Sequence, residues 1–291
     1  MPVVLDGAMG TELQRRGLDT SLPLWSARAL IEAPDEVVKI HQDYVTAGAD
    51  VLTTNSFRTH RRSLEKAQLG EQAMRLTRLS VELARTAASM SSGAVKVAGS
   101  ISPLEDCYRP DLSPNDFGRE FHGIASHLAD AGCDLLLVET MNNGREAEAA
   151  TRAAVDTGLP VWVSLNPSNA DPARLLSGES LADVAKSIES LGVAAILVNC
   201  APPEVIESAL RVLRGAVRTR IGAYSNNGLP DEQSGWRFDS DLPVREFVLH
   251  CRRLVEIGAD IVGGCCGTRP EHIEALSRDL RSGDRTTEAM H

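Results

Sequence analysis

Aromatic residues make up only 4% of this 291-residue chain, and there are just three tryptophans and three tyrosines. Packing therefore leans on aliphatic side chains, and each aromatic near a polar segment stands out. No run of 18 apolar residues occurs, which argues against a membrane-spanning helix. The opening segment, MPVVLDGAMGTELQ, has neither a basic start nor an apolar stretch, so a secretory signal is not expected. Basic residues are in deficit: 30 Lys and Arg stand against 40 Asp and Glu, a formal charge of −10. That balance excludes the basic stripe of a sequence-independent nucleic-acid binder. There is no H-E-x-x-H, and no G-x-G-x-x-G follows the first apolar run. The expected compartment is the cytosol, where the six cysteines are free, metal-bound or catalytic rather than disulfide-bonded. The histidines, among them His41, His60 and His127, are scattered and read as surface residues.

What is present is one unit repeated. Short β-branched or apolar runs occur at Val3–Asp6, Asp50–Thr54, Val95–Ser100, Asp134–Glu139, Val161–Asn166, Ala194–Cys200, Arg220–Ser225 and Asp260–Gly264. Several are apolar nearly throughout, as strands buried on both faces are. Amphipathic segments lie between them: Pro34–Ala47, Glu71–Ser89, Pro114–Ala131, Arg145–Thr157, Leu181–Leu191, Pro203–Val217, Pro243–Ile257 and Pro270–Leu280. The junctions AGAD (47–50), AGCD (131–134) and IGAD (257–260) repeat one device, a glycine helix cap followed at once by a strand. Eight β-then-α units predict an α/β fold, a single-domain (β/α)8 TIM barrel over residues 1–281 with a polar tail at 282–291. Leu18–Ala33, Ser102–Asn115 and Asn226–Leu242 are the longest stretches without regular pattern.

In such barrels chemistry sits where strands end. Those ends carry Asp6, Asn55, Ser100, Glu139, Ser164 with Asn166, Asn199-Cys200, Ser225-Asn226 and Cys265-Cys266. Cys200 ends the sixth strand and Cys265-Cys266 the eighth, so three thiols converge across the seventh. Three thiolates with a fourth position open make a catalytic type of zinc site. Cys107, Cys133 and Cys251 fall elsewhere and read as non-ligands.

Four stretches resemble the homocysteine S-methyltransferase family: Leu5–Leu13 (LDGAMGTEL), Gly48–Phe57 (GADVLTTNSF), Val138–Met141 (VETM) with Val198-Asn199-Cys200, and Gly263–Ile273 (GGCCGTRPEHI). The double cysteine is the most specific of them. The resemblance covers Val3 to about Leu280 and implies Zn2+ held by Cys200, Cys265 and Cys266. It implies that Asp6 and Glu139 meet the amino group of homocysteine, and that the amides around Gly7 and Ala8 receive its carboxylate. Asn199 belongs to the same resembling stretch and is placed with the substrate-binding residues. Asn226, in a turn where Ser225 replaces the family's proline, would approach the metal when no substrate is bound.

Zinc would hold a substrate thiol as its thiolate, ready to attack a methyl group, with no separate general base. A sulfonium donor, S-methylmethionine or S-adenosylmethionine, would be drawn to aromatic faces. Trp25, whose surroundings resemble the S-methylmethionine-using branch, and Phe57 are the candidates for that pocket. Tyr108 lies in a third loop shorter than is common there. Betaine, a protein-delivered methyl group, or another small thiol or selenol acceptor remain alternatives. So do a zinc hydrolase and a non-enzymatic thiol redox or zinc sensor. The partners expected are small molecules, with neither nucleic acid nor membrane.

Overall fold

Each apolar run is short because a strand need only cross one barrel wall. In the computed structural model every residue is described except Ser92, Gly118, 232–234, 238–241 and 289–291, with backbone alone for 229–231, 235–237 and 283–288. The strands are β1 (Val3–Val4), β2 (Val51–Thr53), β3 (Lys96–Ile101), β4 (Leu135–Met141), β5 (Val161–Leu165), β6 (Ala195–Asn199), β7 (Arg220–Ser225), β8 (Leu229–Asp231), β9 (Gly235–Arg237) and β10 (Ile261–Gly264). Eight form one parallel sheet in the order β1-β10-β7-β6-β5-β4-β3-β2, while β8 and β9 make a small antiparallel hairpin. The two outer strands meet through the parallel bridge Leu5–Val51, and the Asp6 N–H donates to the Val51 carbonyl at 3.1 Å. The sheet is thus closed, and the fold is a (β/α)8 TIM barrel.

Period-two alternation sorts the side chains. Leu5, Ala98, Leu135, Leu137, Trp162, Ala195, Leu197, Tyr224 and Ile261 fill the barrel interior. Their neighbours Val97, Leu136, Val138, Val163, Ile196, Val198 and Val262 face the helices. Burying one such aliphatic side chain is worth about 1.5–3 kcal/mol, so both faces must be covered for the strands to persist. Two residues beyond the last apolar layer, the inward positions become Ser100, Glu139, Ser164 and Asn199, all buried. The lumen is therefore oily below and polar at its carboxyl end.

The repeated junctions behave as their sequence predicts. Gly48, Gly132 and Gly258 adopt φ of 90°, 92° and 113°, a left-handed turn that glycine takes without penalty. The third amphipathic segment, expected as helix from Pro114, becomes helical only at Glu120. Ser113 Oγ donates to Glu146 Oε2 at 2.6 Å and Arg145 donates to the Pro114 carbonyl at 2.9 Å, which holds the segment against the next helix. The three irregular stretches contain short order: helical turns at Trp25–Arg28, Ala29–Glu32 and Pro110–Leu112, and the β8–β9 hairpin. The last helix runs Pro270–Glu288, past the expected end at Leu280 and into the segment read as a tail, whose final residues lie outside the described ones.

Four of the histidines are not surface residues: His41, His60, His250 and His272 are buried. Burial pushes the pKa of His41 and His60 down to about 4 and about 3. Both are therefore neutral at physiological pH, and the His60 ring accepts from Ser63 N–H to cap the helix Arg61–Glu65. His127 is half-buried. Among the described residues no helix is long and apolar enough to cross a membrane.

Candidate active site

Strand register brings the cysteines together. Asn199 of β6 pairs with Tyr224 of β7, which pairs with Gly263 of β10. One residue further, Cys200, Ser225 and Gly264 share a level. There the Cys200 N–H donates to the Tyr224 carbonyl at 3.3 Å and the Cys265 N–H to the Ser225 carbonyl at 2.9 Å. Cys200 has φ 61°, a left-handed turn that costs a side-chain-bearing residue about 1–3 kcal/mol and is held by these contacts. At Gly264 a Cβ would fall 2.1 Å from Thr268 Cγ2, so only glycine lets the chain turn into the double cysteine. The Asn227 N–H donates to the Cys266 carbonyl at 2.7 Å and fixes the far side of that turn. The ligand atoms of Cys200, Cys265 and Cys266 all lie within 4.8 Å of one another, a cluster that could hold a metal ion.

The surroundings are polar and tight. Tyr108 Oη lies 3.1 Å from Cys200 Sγ, and Asn199 Nδ2 lies 3.9 Å from Cys265 Sγ. Asn199 is itself held by Ser164 Oγ at 2.7 Å and Thr140 Oγ1 at 2.9 Å. Thiol–thiol hydrogen bonds, burial and mutual repulsion keep all three thiols protonated well above the ordinary cysteine range. A cation among them would reverse that balance.

Asp6 and Glu139 stand on the same cavity as the thiols. Asp6 accepts from the Thr53 N–H at 2.7 Å and from Thr53 Oγ1 at 2.9 Å. Glu139 lies where the β4–β5 register slips between Val138 and Met141, a local bulge that re-aims a side chain. It accepts from Ser100 Oγ at 2.5 Å and Tyr224 Oη at 3.2 Å. Burial raises both carboxyls, and burial together with the Glu139 charge brings Asp6 to about 8. Neither forms an ion pair with a cationic side chain of the described residues. A cation brought between two such buried carboxyls would favour their charged forms.

The cavity has a volume of about 990 Å³. Gly7, Ala8, Trp25 and Phe57 line it along with the three cysteines and the two carboxylates. Trp25 is half-buried at φ 50°, and its indole packs so close to Gly10 that a Cβ there would come within 2.4 Å of Nε1. Asn199 and Asn226 do not line the cavity. Asn199 supports Cys265 from beneath, and Asn226 is buried with its N–H on the Ala201 carbonyl and its Oδ1 without a partner. Cys107 does line it, as a half-buried thiol that desolvation pushes up to about 12, apart from the three-cysteine cluster.

Sequence reasoning did not single out Tyr224, Thr53 or Arg58. Tyr224 was discoverable: it is an inward position of the seventh strand, two residues past Gly222. Thr53 and Arg58 carry no comparable signal, because their importance lies in which wall of the cavity their side chains reach.

Residues 3–280 match the homocysteine S-methyltransferase family. Homocysteine S-methyltransferase 3 of Zea mays is 31% identical over 97% of this chain and 90% of its own length. A selenocysteine methyltransferase of Astragalus bisulcatus is 30% identical over 98% of this chain and 94% of its own. Among solved structures, the metallated form of the homocysteine methyltransferase MmuM from Escherichia coli superposes with a TM-score of 0.82 at 30% identity, covering 96% of both chains. With the cysteine trio at the mouth of a closed eight-stranded barrel, these likenesses place the chain in the homocysteine S-methyltransferase family.

Proposed function

We propose that this protein moves a methyl group from a sulfonium donor, S-methylmethionine or S-adenosylmethionine, to the thiolate of L-homocysteine, giving methionine. The observation that carries the reading is the meeting, in one cavity, of three clustered thiols and two buried carboxyls that lack a cation. Cys200, Cys265 and Cys266 would hold zinc. Four sulfurs about 2.3 Å from a tetrahedral ion stand about 3.8 Å apart, and the three present lie within 4.8 Å of one another, close enough to settle onto that spacing around an ion. Zinc supplies the positive charge that keeps a fourth thiol ionised at neutral pH.

The chain's own groups do the remaining work. Asp6 and Glu139 take the α-ammonium of homocysteine, and the Gly7–Ala8 backbone offers amides to its carboxylate. These contacts fix the acceptor so that its sulfur reaches the thiol cluster. Asn199 and Tyr108 hold Cys265 and Cys200 in place by hydrogen bonds to sulfur. Trp25 and Phe57 present π faces to a positively charged methyl donor, and that attraction is worth about 0.5–2 kcal/mol. Sulfur then attacks the methyl carbon, and the bond to the donor's sulfonium breaks with its electron pair, leaving a neutral thioether. No side chain need act as a general base. A selenol acceptor would make the same contacts, in keeping with the selenocysteine methyltransferase among the relatives.

The test is methionine formation by reduced, zinc-loaded protein given homocysteine and, separately, S-methylmethionine, S-adenosylmethionine or betaine. Zinc content is read on the same sample. Expected is methionine from a sulfonium donor, with zinc and activity lost together in Cys266→Ala. Zinc bound at about one per chain with no methionine from any donor would sink the reading.

A further inference from the structure

Resting on that reading, we infer that Arg58 anchors the carboxylate of the methyl donor, so that the donor is recognised as an amino acid and not merely as a sulfonium. Arg58 follows Phe57 directly after β2, is 7% exposed and lines the cavity. Its guanidinium carbon sits 5.6 Å from the centroid of the Phe57 ring. Nη1 donates to the Glu105 carbonyl at 3.0 Å, while the buried Nε has no acceptor.

The charge of Arg58 has no partner among the described residues. The Glu105 carboxylate beside it is turned to Arg62, at 2.5 Å, and to Lys66. Arg109, another arginine on the cavity, is already paired with Asp111 at 2.6 Å. A guanidinium held out of water without an anion is costly, and its planar fork matches a carboxylate. The acceptor's charges are accounted for elsewhere: its ammonium by Asp6 and Glu139, its carboxylate by the amides beside them. Arg58 lies instead next to Phe57, on the aromatic side where a methyl cation would be received. Three residues earlier, Asn55 donates its amide to the Ser26 carbonyl at 2.9 Å and leaves Oδ1 buried without a partner. That oxygen is an acceptor for an ammonium. Asn55 and Arg58 together would receive the α-amino-acid end of a donor whose sulfonium lies against Trp25 and Phe57.

The experiment compares S-methylmethionine with its decarboxylated analogue, aminopropyl dimethylsulfonium, which keeps the sulfonium and the ammonium. Initial rates are measured on zinc-loaded wild type, Arg58→Gln and Arg58→Lys, with thermal melting as the check on folding. A charge-assisted contact predicts that wild type prefers the carboxylated donor by about 10- to 100-fold in kcat/KM. In Arg58→Gln the preference should collapse to within about threefold, through loss on the carboxylated donor alone and with the homocysteine KM unchanged; Arg58→Lys should regain part of it. A preference that survives in Arg58→Gln, or an equal loss on both donors, overturns the assignment. If wild type makes no methionine from either compound nor from S-adenosylmethionine, the methyl-transfer reading has failed, and calorimetric titration of S-methylmethionine and its analogue still decides Arg58. There, tighter binding of the carboxylated compound that disappears in Arg58→Gln supports the anchor, and equal binding of both by wild type overturns it.

Discussion

Replacing Asp6 by Asn should make the ligand-free protein more stable at neutral pH while weakening its hold on the acceptor. Asp6 is buried, and burial raises its pKa from 3.8 to about 8. Between those values the folded chain retains a proton that the unfolded chain has released, so stability falls as pH rises from about 4 to about 8 and stays low above that. At about 1.36 kcal/mol per pKa unit, the penalty is on the order of 5 kcal/mol by pH 8. Asparagine removes it without stranding a neighbour: Oδ1 can accept from the Thr53 N–H, and Nδ2 can donate to the Thr53 hydroxyl. Since about 1 kcal/mol moves the midpoint of a chain this size by roughly 2 °C, the variant should melt roughly 5–10 °C higher at pH 8 and no higher at pH 4. The assay is a set of thermal melts of both proteins from pH 4 to 9 at matched metal content. The difference between the two curves isolates Asp6 from Glu139, which is present in both. Saturating homocysteine should raise the midpoint of wild type more than that of Asp6→Asn, because only a carboxylate gains an ion pair with the ligand's ammonium. Parallel melting curves across the whole pH range would refute the reasoning.

Two further perturbations separate the site from the scaffold. Gly264→Ala places a Cβ 2.1 Å from Thr268 Cγ2, so the turn into Cys265 must move; we expect a stability loss of about 1–3 kcal/mol and metal content well below one per chain by elemental analysis. Asp260→Ala removes a carboxylate that accepts from the Ile221 N–H at 3.2 Å at the other end of the barrel, and should lower the unfolding free energy from urea titration by about 1–2 kcal/mol with kcat unchanged.

Much of the fold was written in local pattern. Runs such as Leu135–Val138 read as strands covered on both faces, and the alternation of strand with helix leaves few architectures open. The cysteine trio was legible for the same reason, since neighbouring strand ends must lie side by side once the barrel closes. The walls of the cavity were not. Arg58 and Tyr108 sit on loops, where no period fixes side-chain direction, and Tyr108 meets Cys200 across 92 residues of sequence. The misreading of His41 and His60 has a related cause. A histidine on a helix or loop is buried or exposed according to what packs over it, and sequence period says nothing about that partner.

The repeated junction shows where pattern and mechanism part. Its glycine was readable as a helix cap, but its aspartate recurs for a reason only the closed sheet reveals. Asp50 accepts from the Val4 N–H at 2.9 Å, Asp134 from the Val97 N–H at 2.7 Å and Asp260 from the Ile221 N–H at 3.2 Å. Each time a strand begins, its leading carboxylate satisfies a backbone donor of the strand beside it, where the parallel ladder has not yet started. The same residue type thus has opposite roles at the two ends of the barrel. At the amino ends aspartate is half-exposed and closes the sheet by accepting from its backbone. At the carboxyl end Asp6 is buried beside Glu139 with no cation, and the fold is less stable for it. On the proposed function Asp6 weakens the scaffold in the absence of substrate and takes the ligand's ammonium in its presence, and this contrast between Asp260 and Asp6 is why the first should alter stability alone and the second should trade stability against acceptor binding.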